Sequence, residues 1–547
     1  MPRNQATDKK RLKTALIALV PVLAALVVWL SPLAFVPVPW PDDSAFYFVA
    51  DQLFSWPPRW VMLPQAPFEP SYTQWNFNTM PLFPVLIGIG KFFGINGSFS
   101  LKIWPLAAWA AGGALLIVTL ARSGLRARWL WLLALAWALD PALRWSSVLV
   151  RPESLIALFG VTLVAGLTLG FPRKWEPRRL WDPIAALLAL GAYTHFNAIH
   201  LVFPVILAFA LKPGRLLKIG ALTTLYVSPW IVTVLWHWDL FERQMQMQWR
   251  RLAVPNSWLE SPKNALTALF ENMGSPYPWD DAIRWSAAAL WIFIAASLVT
   301  LLWDLGSQIL LRLRPSQHST RLLEKQISLI PASGWILGSV WLFDSKPEVW
   351  FTHYIHAALW TWAGFFILGT RLRWARPAIA AVFMVILAGF VKTNAVQWSQ
   401  LWNDTTWRWS TYEAFVDCVD GQLSDLDRRL GHSKPLRVWC PTAPDITIEL
   451  SRRHPEWEFT RTCDFSDRWG LAIRHGKEVE AVVVTESYSK IARDIEGPAA
   501  NYPEVQSLWL NWKDYFLNKL YVDLKWKPRR SLCQRGKWQA FIFTNEI

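Results

Sequence analysis

IWPLAAWAAGGALLIVTLARSGLRAR, residues 103–128, carries the reading that decides this fold. An apolar run over 103–121 is followed at once by Arg122, Arg126 and Arg128. As a helix, a run of that length crosses the hydrocarbon core of a bilayer, which takes about 20 residues. Cationic side chains gathered at one end mark the side that is not translocated. The pattern repeats along most of the chain. Apolar runs read at 14–36, 103–121, 129–143, 154–171, 183–195, 197–211, 217–236, 286–304, 327–343, 351–369 and 375–391. The other basic loops are Arg173/Lys174/Arg178/Arg179, Lys212/Arg215/Lys218, Arg312/Arg314/Arg321/Lys325 and Arg371/Arg373/Arg376. Region 183–211 is one long helix or two short ones meeting near His195, and loop charge favours two. Placing every basic loop on one side then predicts about 11 transmembrane helices, with the N-terminus cytoplasmic and the C-terminus outside.

Composition agrees. The chain has 547 residues, 53% hydrophobic and only 17% charged, with 39 Trp, a residue that gathers at membrane interfaces. The net charge of +15 would suit nucleic acid. The Lys and Arg lie in short loops between apolar runs, however, and no continuous basic stripe with base-stacking aromatics is visible. Lys9, Lys10, Arg11 and Lys13 precede an apolar run reaching Val36. That run is longer than a signal-peptide core and lacks a small-residue cleavage site, so an uncleaved first helix is expected.

Residues 81–95 are apolar but too short to span. They read as a helix lying at the outer surface, within a first outer loop over 37–102. A second outer loop, 237–285, contains the Met/Gln/Trp/Arg stretch Arg243–Arg251, suited to an amphipathic surface helix. The membrane module is thus expected over 1–391 and a soluble extracytoplasmic domain over 392–547. In that domain Arg437–Trp439, Glu456–Thr460 and Ala481–Val484 read as strands and Asp445–Arg453 as a helix. This spacing predicts a small α/β fold with a parallel sheet. All four cysteines, Cys418, Cys440, Cys463 and Cys533, lie there. They are either two disulfides formed in an oxidising compartment or buried thiols. In the first case Cys440 could pair with Cys463, which leaves Cys418 for Cys533.

Four sets of polar residues stand near the outer side. Asp42 and Asp43 follow Pro37, Pro39 and Pro41 at the start of a helix, where peptide dipoles favour negative charge. Arg151-Pro152-Glu153 opens a later helix in the same way. Either acid could be a simple cap. Asp140 and Arg144 could pair with each other or line the same cavity. His195, and His353 with His356, also fall near this side. The two late histidines, three apart, could share a helix face, but they are not taken as a metal site.

Three stretches resemble the membrane-embedded GT-C glycosyltransferases, in the protein-O-mannosyltransferase-like branch that includes lipid A aminoarabinose transferases and rhizobial-type galacturonosyltransferases. Pro41-Asp42-Asp43-Ser44-Ala45-Phe46-Tyr47 is similar to that family's Asp-Glu-x-x-Tyr stretch. Asn78-Thr79-Met80-Pro81-Leu82-Phe83-Pro84 is similar to its Pro-x-Tyr-Pro start of the surface helix. Val150-Arg151-Pro152-Glu153-Ser154-Leu155 is similar to its second acidic motif. Thr194-His195 and His353-Tyr354 have weaker counterparts. The resemblance covers about residues 10–391. It departs in having Asp-Asp for Asp-Glu, and Asn78 or Thr79 where the family often has Lys.

The resemblance implies a GT-C-like fold and an inverting hexosyl- or pentosyltransferase. The sugar would pass from a polyprenyl-phosphate donor to a hydroxyl of a lipid, glycan or protein acceptor on the outer face of a bacterial inner membrane. It implies Asp42 as general base, with Asp43 close enough to exchange with it, and Glu153 orienting the acceptor or the loop. Tyr47, Arg151 and His195 are expected to bind substrate, as are His353 and Tyr354. The outer-loop cations Arg250, Arg251 and Lys346 would offset phosphate charge, or else anchor at lipid headgroups. No cofactor is expected; a divalent metal is compatible with the reading and is not predicted. The competing reading is a transporter or flippase of lipid-linked sugars, which inverted repeats or paired broken helices would support; neither is visible. A third is a membrane scaffold whose C-terminal domain does the binding, which has no need of an acid-bearing first loop.

Overall fold

Within a bilayer the backbone must satisfy its own hydrogen bonds, so long apolar runs become helices. The computed structural model describes residues 5–30, 41–60, 75–77, 79–95, 97, 100–148, 150–171, 180–249, 281–313, 328–345, 352–369, 375–403, 405, 408–431, 435–440, 444–460, 480–485, 528–536 and 538–545. The first helices are α1 Gln5–Ala18, α2 Val20–Leu30, α3 Pro41–Leu53, α4 Leu82–Phe92, α5 Ile103–Arg122, α6 Ala127–Leu139, α7 Pro141–Ser147 and α8 Glu153–Leu169. Next come α9 Pro183–Thr194, α10 Val202–Phe209, α11 Pro213–Trp236, α12 Trp238–Trp249, α13 Asp281–Leu313, α14 Ile330–Ser345, α15 Thr352–Gly369, α16 Ala375–Asn403 and α17 Trp409–Leu430. The C-terminal part adds β1 Arg437–Trp439, α18 Pro444–Arg453, β2 Glu458–Thr460, β3 Ala481–Thr485, β4 Pro528–Arg535 and β5 Trp538–Asn545.

Over its described residues, each expected apolar run is mainly helical. Among the described residues, five stretches are long and apolar enough to cross a membrane unaided: Lys9–Val28, Ile103–Arg122, Pro213–Trp236, Ala289–Leu310 and Arg376–Val396. The other expected spans coincide with shorter apolar helices, such as Ala127–Leu139 and Glu153–Leu169, or with the deeply buried α15. The region 183–211 is broken, as loop charge suggests. His195 adopts extended backbone after α9, its Nδ1 accepts from Asn197 N at 3.1 Å, and a 3-10 turn over Phe196–Leu201 leads into α10.

The helices approach closely where one of them carries glycine, since small residues let helix surfaces meet without a Cβ between them. A Cβ on Gly113 would lie 2.8 Å from the Trp137 ring, and one on Gly160 would lie 2.2 Å from Trp335. The Trp137 indole also donates to Trp109 O at 3.1 Å, which satisfies its N–H inside the bundle. At the end that carries the basic loops, Arg11 donates to Arg122 O at 2.8 Å and Arg215 pairs with Asp182, the N-cap of α9.

α16 continues beyond its apolar part to Asn403, and α17 then packs Phe415, Val419 and Leu423 against a five-stranded sheet of order β2-β1-β3-β5-β4. β1 pairs in parallel with β2 and β3, as the sequence predicts, whereas β4 and β5 add an antiparallel hairpin. The sheet is therefore mixed, which corrects the expectation of a parallel one. The hairpin turns at Gly536, whose φ of 58° suits glycine. Its strand β4, PRRSLCQR, is too polar to announce itself. Cys418 of α17 is disulfide-bonded to Cys533 of β4, the second of the two expected pairs. Cys440 is buried at the end of β1, and Cys463 lies outside the described residues.

Asp420 of α17 accepts from Arg453 at 2.9 Å and bonds His454 Nε2 at 2.7 Å. Partial burial alone would raise its pKa, but the bonds from Arg453 and His454 outweigh burial and hold the carboxyl below its usual range. A depressed folded pKa contributes stability above the unfolded value, and that stability is lost as pH falls through the folded one. Replacing Asp420 with Asn should therefore flatten the loss of domain stability below about pH 4, measured as thermal midpoint against pH. For the bundle, Gly160→Ala should cost about 1–3 kcal/mol through overpacking against Trp335. Gly220→Ala, with open space around its Cβ, should leave the thermal midpoint of the detergent-solubilised protein unchanged.

Candidate functional site

Pro41 begins α3, so Asp42 and Asp43 occupy its first turn, near the positive end of the helix dipole. The structure describes their backbone. One turn on, Phe46, Tyr47 and Ala50 enter a small buried core with Phe83 and Ile87 of α4, Leu101 and Val150. The Phe46 and Phe83 rings meet edge-on at 5.1 Å. Lys91 of α4 pairs with Asp51 of α3, and its ammonium sits 4.0 Å over the Tyr47 ring. Burial pushes the Tyr47 hydroxyl above its ordinary pKa against the pull of Lys91, so it remains a proton-bearing donor at neutral pH.

Val150 leads directly into Arg151-Pro152-Glu153. Glu153 is the first residue of α8 and is fully buried. Its Oε1 accepts from Arg151 Nε at 3.0 Å and Nη2 at 2.9 Å. Its Oε2 is buried and makes no hydrogen bond to any described residue. Arg151 is buried too and is the counter-ion of Glu153. The buried His353 of α15 lies in the field of both Glu153 and Asp140. Its neighbour Tyr354 interacts with Asn197 and faces the His200 ring at 4.5 Å.

Asp140 is buried as well. Its Oδ1 caps α7, accepting from Ala142 N at 2.8 Å and Leu143 N at 3.1 Å. Its Oδ2 accepts from His356 Nδ1 and Trp360 Nε1 of α15, each at 2.7 Å. Arg144, expected to pair with Asp140 or share a cavity with it, donates instead to Asn394 of α16. Asn394 in turn donates to Leu139 O at 2.8 Å. These bonds tie the α6–α7–α8 connection to α15 and α16.

The structure thus brings the acid-bearing start of α3 and the Arg151–Glu153 pair to one core, with His353 beside Glu153. His195 serves as the cap between α9 and the 3-10 turn, two residues from Asn197. Arg250, Arg251, Lys346 and Asn78 lie outside the described residues. Among the described residues no group of three or more His, Cys, Asp and Glu is disposed to hold a metal ion. The sequence reading did not assign the partners of Asp140, nor Lys91, nor Gln244 of α12. Buried Gln244 accepts from Phe77 N at 2.7 Å and donates to Trp75 O at 2.8 Å, so it clamps the first outer loop. The lone Lys in the apolar stretch 81–95 was the one visible signal for Lys91; a glutamine in a polar helix offers none.

No protein-family model matches the chain, and no curated protein matches it in sequence. Among solved structures it is similar to ArnT from Cupriavidus metallidurans bound to undecaprenyl phosphate, at 12% identity over 96% of this chain and 97% of that one, with a TM-score of 0.44. The apo state of that protein is similar with the same identity and coverage, at a TM-score of 0.43. It is also similar to the archaeal oligosaccharyltransferase AglB from Archaeoglobus fulgidus in complex with an inhibitory peptide and a dolichol-phosphate. There the identity is 12% over 89% of this chain and 71% of that one, and the TM-score is 0.45. With TM-scores below 0.5 the likeness carries nothing about the residues or the chemistry of this chain.

Asp140→Asn would keep an oxygen for one pair of donors and turn an amide N–H₂ toward the other. That pair then loses its acceptor in the dry interior, which should cost about 1–3 kcal/mol or more. Trp360→Phe, which removes one donor and leaves the carboxylate its others, should cost less. Thermal unfolding of the two purified variants beside the parent protein checks the order.

Proposed function

We propose that the protein is an inverting glycosyltransferase that moves a sugar from a polyprenyl-phosphate donor to a hydroxyl of a lipid, glycan or protein acceptor at the outer membrane face. One observation carries this reading. Two acid-bearing segments far apart in sequence, at 41–47 and 150–153, contribute Phe46, Tyr47 and Val150 to one buried core, and Glu153 keeps an oxygen that makes no hydrogen bond to the described residues. Buried carboxylates in a membrane protein are costly and mark functional paths.

In the proposed step the acceptor oxygen forms a bond to the anomeric carbon as the bond from that carbon to the phosphate oxygen breaks. Attack from the far side inverts the configuration. The proton of the acceptor hydroxyl passes to Asp42, or to Asp43 one residue on, and the lipid phosphate leaves with the bonding pair. A base needs to come within hydrogen-bonding reach of that hydroxyl. The couplet stands in the first turn of α3, where the helix dipole favours negative charge. Glu153, held through one oxygen by Arg151, presents the other to orient the acceptor. Arg250, Arg251 and Lys346 on the outer loops would offset charge on the departing phosphate, as cations do in other phosphate chemistry. Exclusion of water suppresses hydrolysis of the donor. The N-terminus is assigned to the cytoplasm and the C-terminal domain to the outer side by the basic loops, at whose end of the bundle Arg11 meets Arg122.

The test is transfer from a panel of polyprenyl-phosphate sugars by the purified protein, beside Asp42→Asn, Asp43→Asn and Glu153→Gln. One aspartate variant should lose on the order of 10²–10⁴-fold in rate, and Glu153→Gln a smaller factor. Donor binding without transfer to any acceptor, alike in all three variants, would move the assignment to transport.

A further inference from the structure

Helix α18 of the C-terminal domain is buried on two sides. Ile446 and Leu450, four residues apart, lie in the domain's own core with Val438, Ala481 and Trp538. Ile448 sits about 200° around the helix from Ile446. It is buried in the other core, the one that holds α3, α4 and Val150. Beside it, the buried Glu449 places Oε1 3.1 Å from where a Cβ on Gly97 would stand, so this carboxylate lies close against the chain leading to α5 at a residue whose φ of 91° favours glycine. Its Oε2 accepts from Arg452 Nε at 3.2 Å and Nη2 at 3.1 Å, which keeps the charge compensated.

That core lies one helical turn from the aspartate couplet, through Phe46 and Tyr47, and three residues from Glu153, through Val150. We propose that Ile448 and Glu449 are positioning residues for the transfer reaction: the soluble domain seats them in the core beneath both acidic motifs and so fixes the separation of the couplet and Glu153. This rests on the reading of those acids given above. The domain is then a structural part of the reaction centre, linked to it by apolar packing and by a carboxylate on backbone. Shortening Ile448 leaves a gap that lets α3 shift against the start of α8, and a misplacement of about 1 Å at a reacting group is worth up to roughly 10²-fold in rate.

Ile448→Ala and Ile448→Val are compared with the parent in the full chain, by steady-state transfer and by amide hydrogen exchange. Ile448→Ala should lower kcat on the order of 10- to 100-fold while the donor KM holds. It should speed exchange over 46–50 and leave α17 and β5 as protected as before, which shows that the disulfide-bonded domain is still folded. Ile448→Val should recover most of the rate. Full kcat in Ile448→Ala despite faster exchange in α3 would overturn the positioning role, and so would a kcat loss with exchange in α3 unaltered. A parent protein that transfers no sugar would sink the functional reading, and the positioning role with it; exchange in α3 would still report whether Ile448 holds that helix.

Discussion

A carboxylate in a dry helical bundle persists only if donors surround it, and Asp140 is supplied by Ala142 N, Leu143 N, His356 and Trp360. Two of those donors are local and two belong to α15. The first pair ends α6 and starts α7; the second pins that corner to a helix buried on nearly every side. Arg144 and Asn394 repeat the arrangement against α16. Because a buried charge is tolerated only in this geometry, the connection from α6 to α8 has little freedom. Glu153 at the head of α8 inherits that rigidity.

From this fixed mouth the rest of the candidate centre is assembled by apolar packing. Val150 is one member of a core that also receives α3, α4 and one side chain of the C-terminal domain. The core is small, but it is the meeting point of every segment that bears an acid in the proposed chemistry. Lys91, Asp51 and Glu449 ring its polar edge, so α3 is held by charge as well as by burial. The clamp of Gln244 on residues 75–77 holds another part of the first outer loop against α11 and α12. Leu240 and Met245 of α12 share a small buried core with Phe77 of that loop.

Much of the site was legible in pieces. The couplet and the Arg-Pro-Glu turn stand out because charge at the edge of an apolar run is conspicuous, and because Pro and an acid together signal a helix start. Asp140 was visible for the same reason. Its partner His356 is 216 residues away, and no local pattern names it. Ile448 was hidden more fully: an isoleucine in an amphipathic helix reads as core of its own domain, and here it is core of another. The β4–β5 hairpin was missed since half of it is polar.

What this chain settles by itself is local. Apolar length decides which runs become helices. His195 and the basic loops mark where they break, and acids at helix starts mark the ends where charge gathers. Each of these follows from desolvation and dipoles within a few turns of the residue concerned. Which acids share a core, which histidine completes Asp140 and which face of α18 looks toward α3 were decided only by the folded chain. Those choices come from packing between segments hundreds of residues apart. Their free energy depends on shape complementarity at contact, which neither composition nor periodicity encodes.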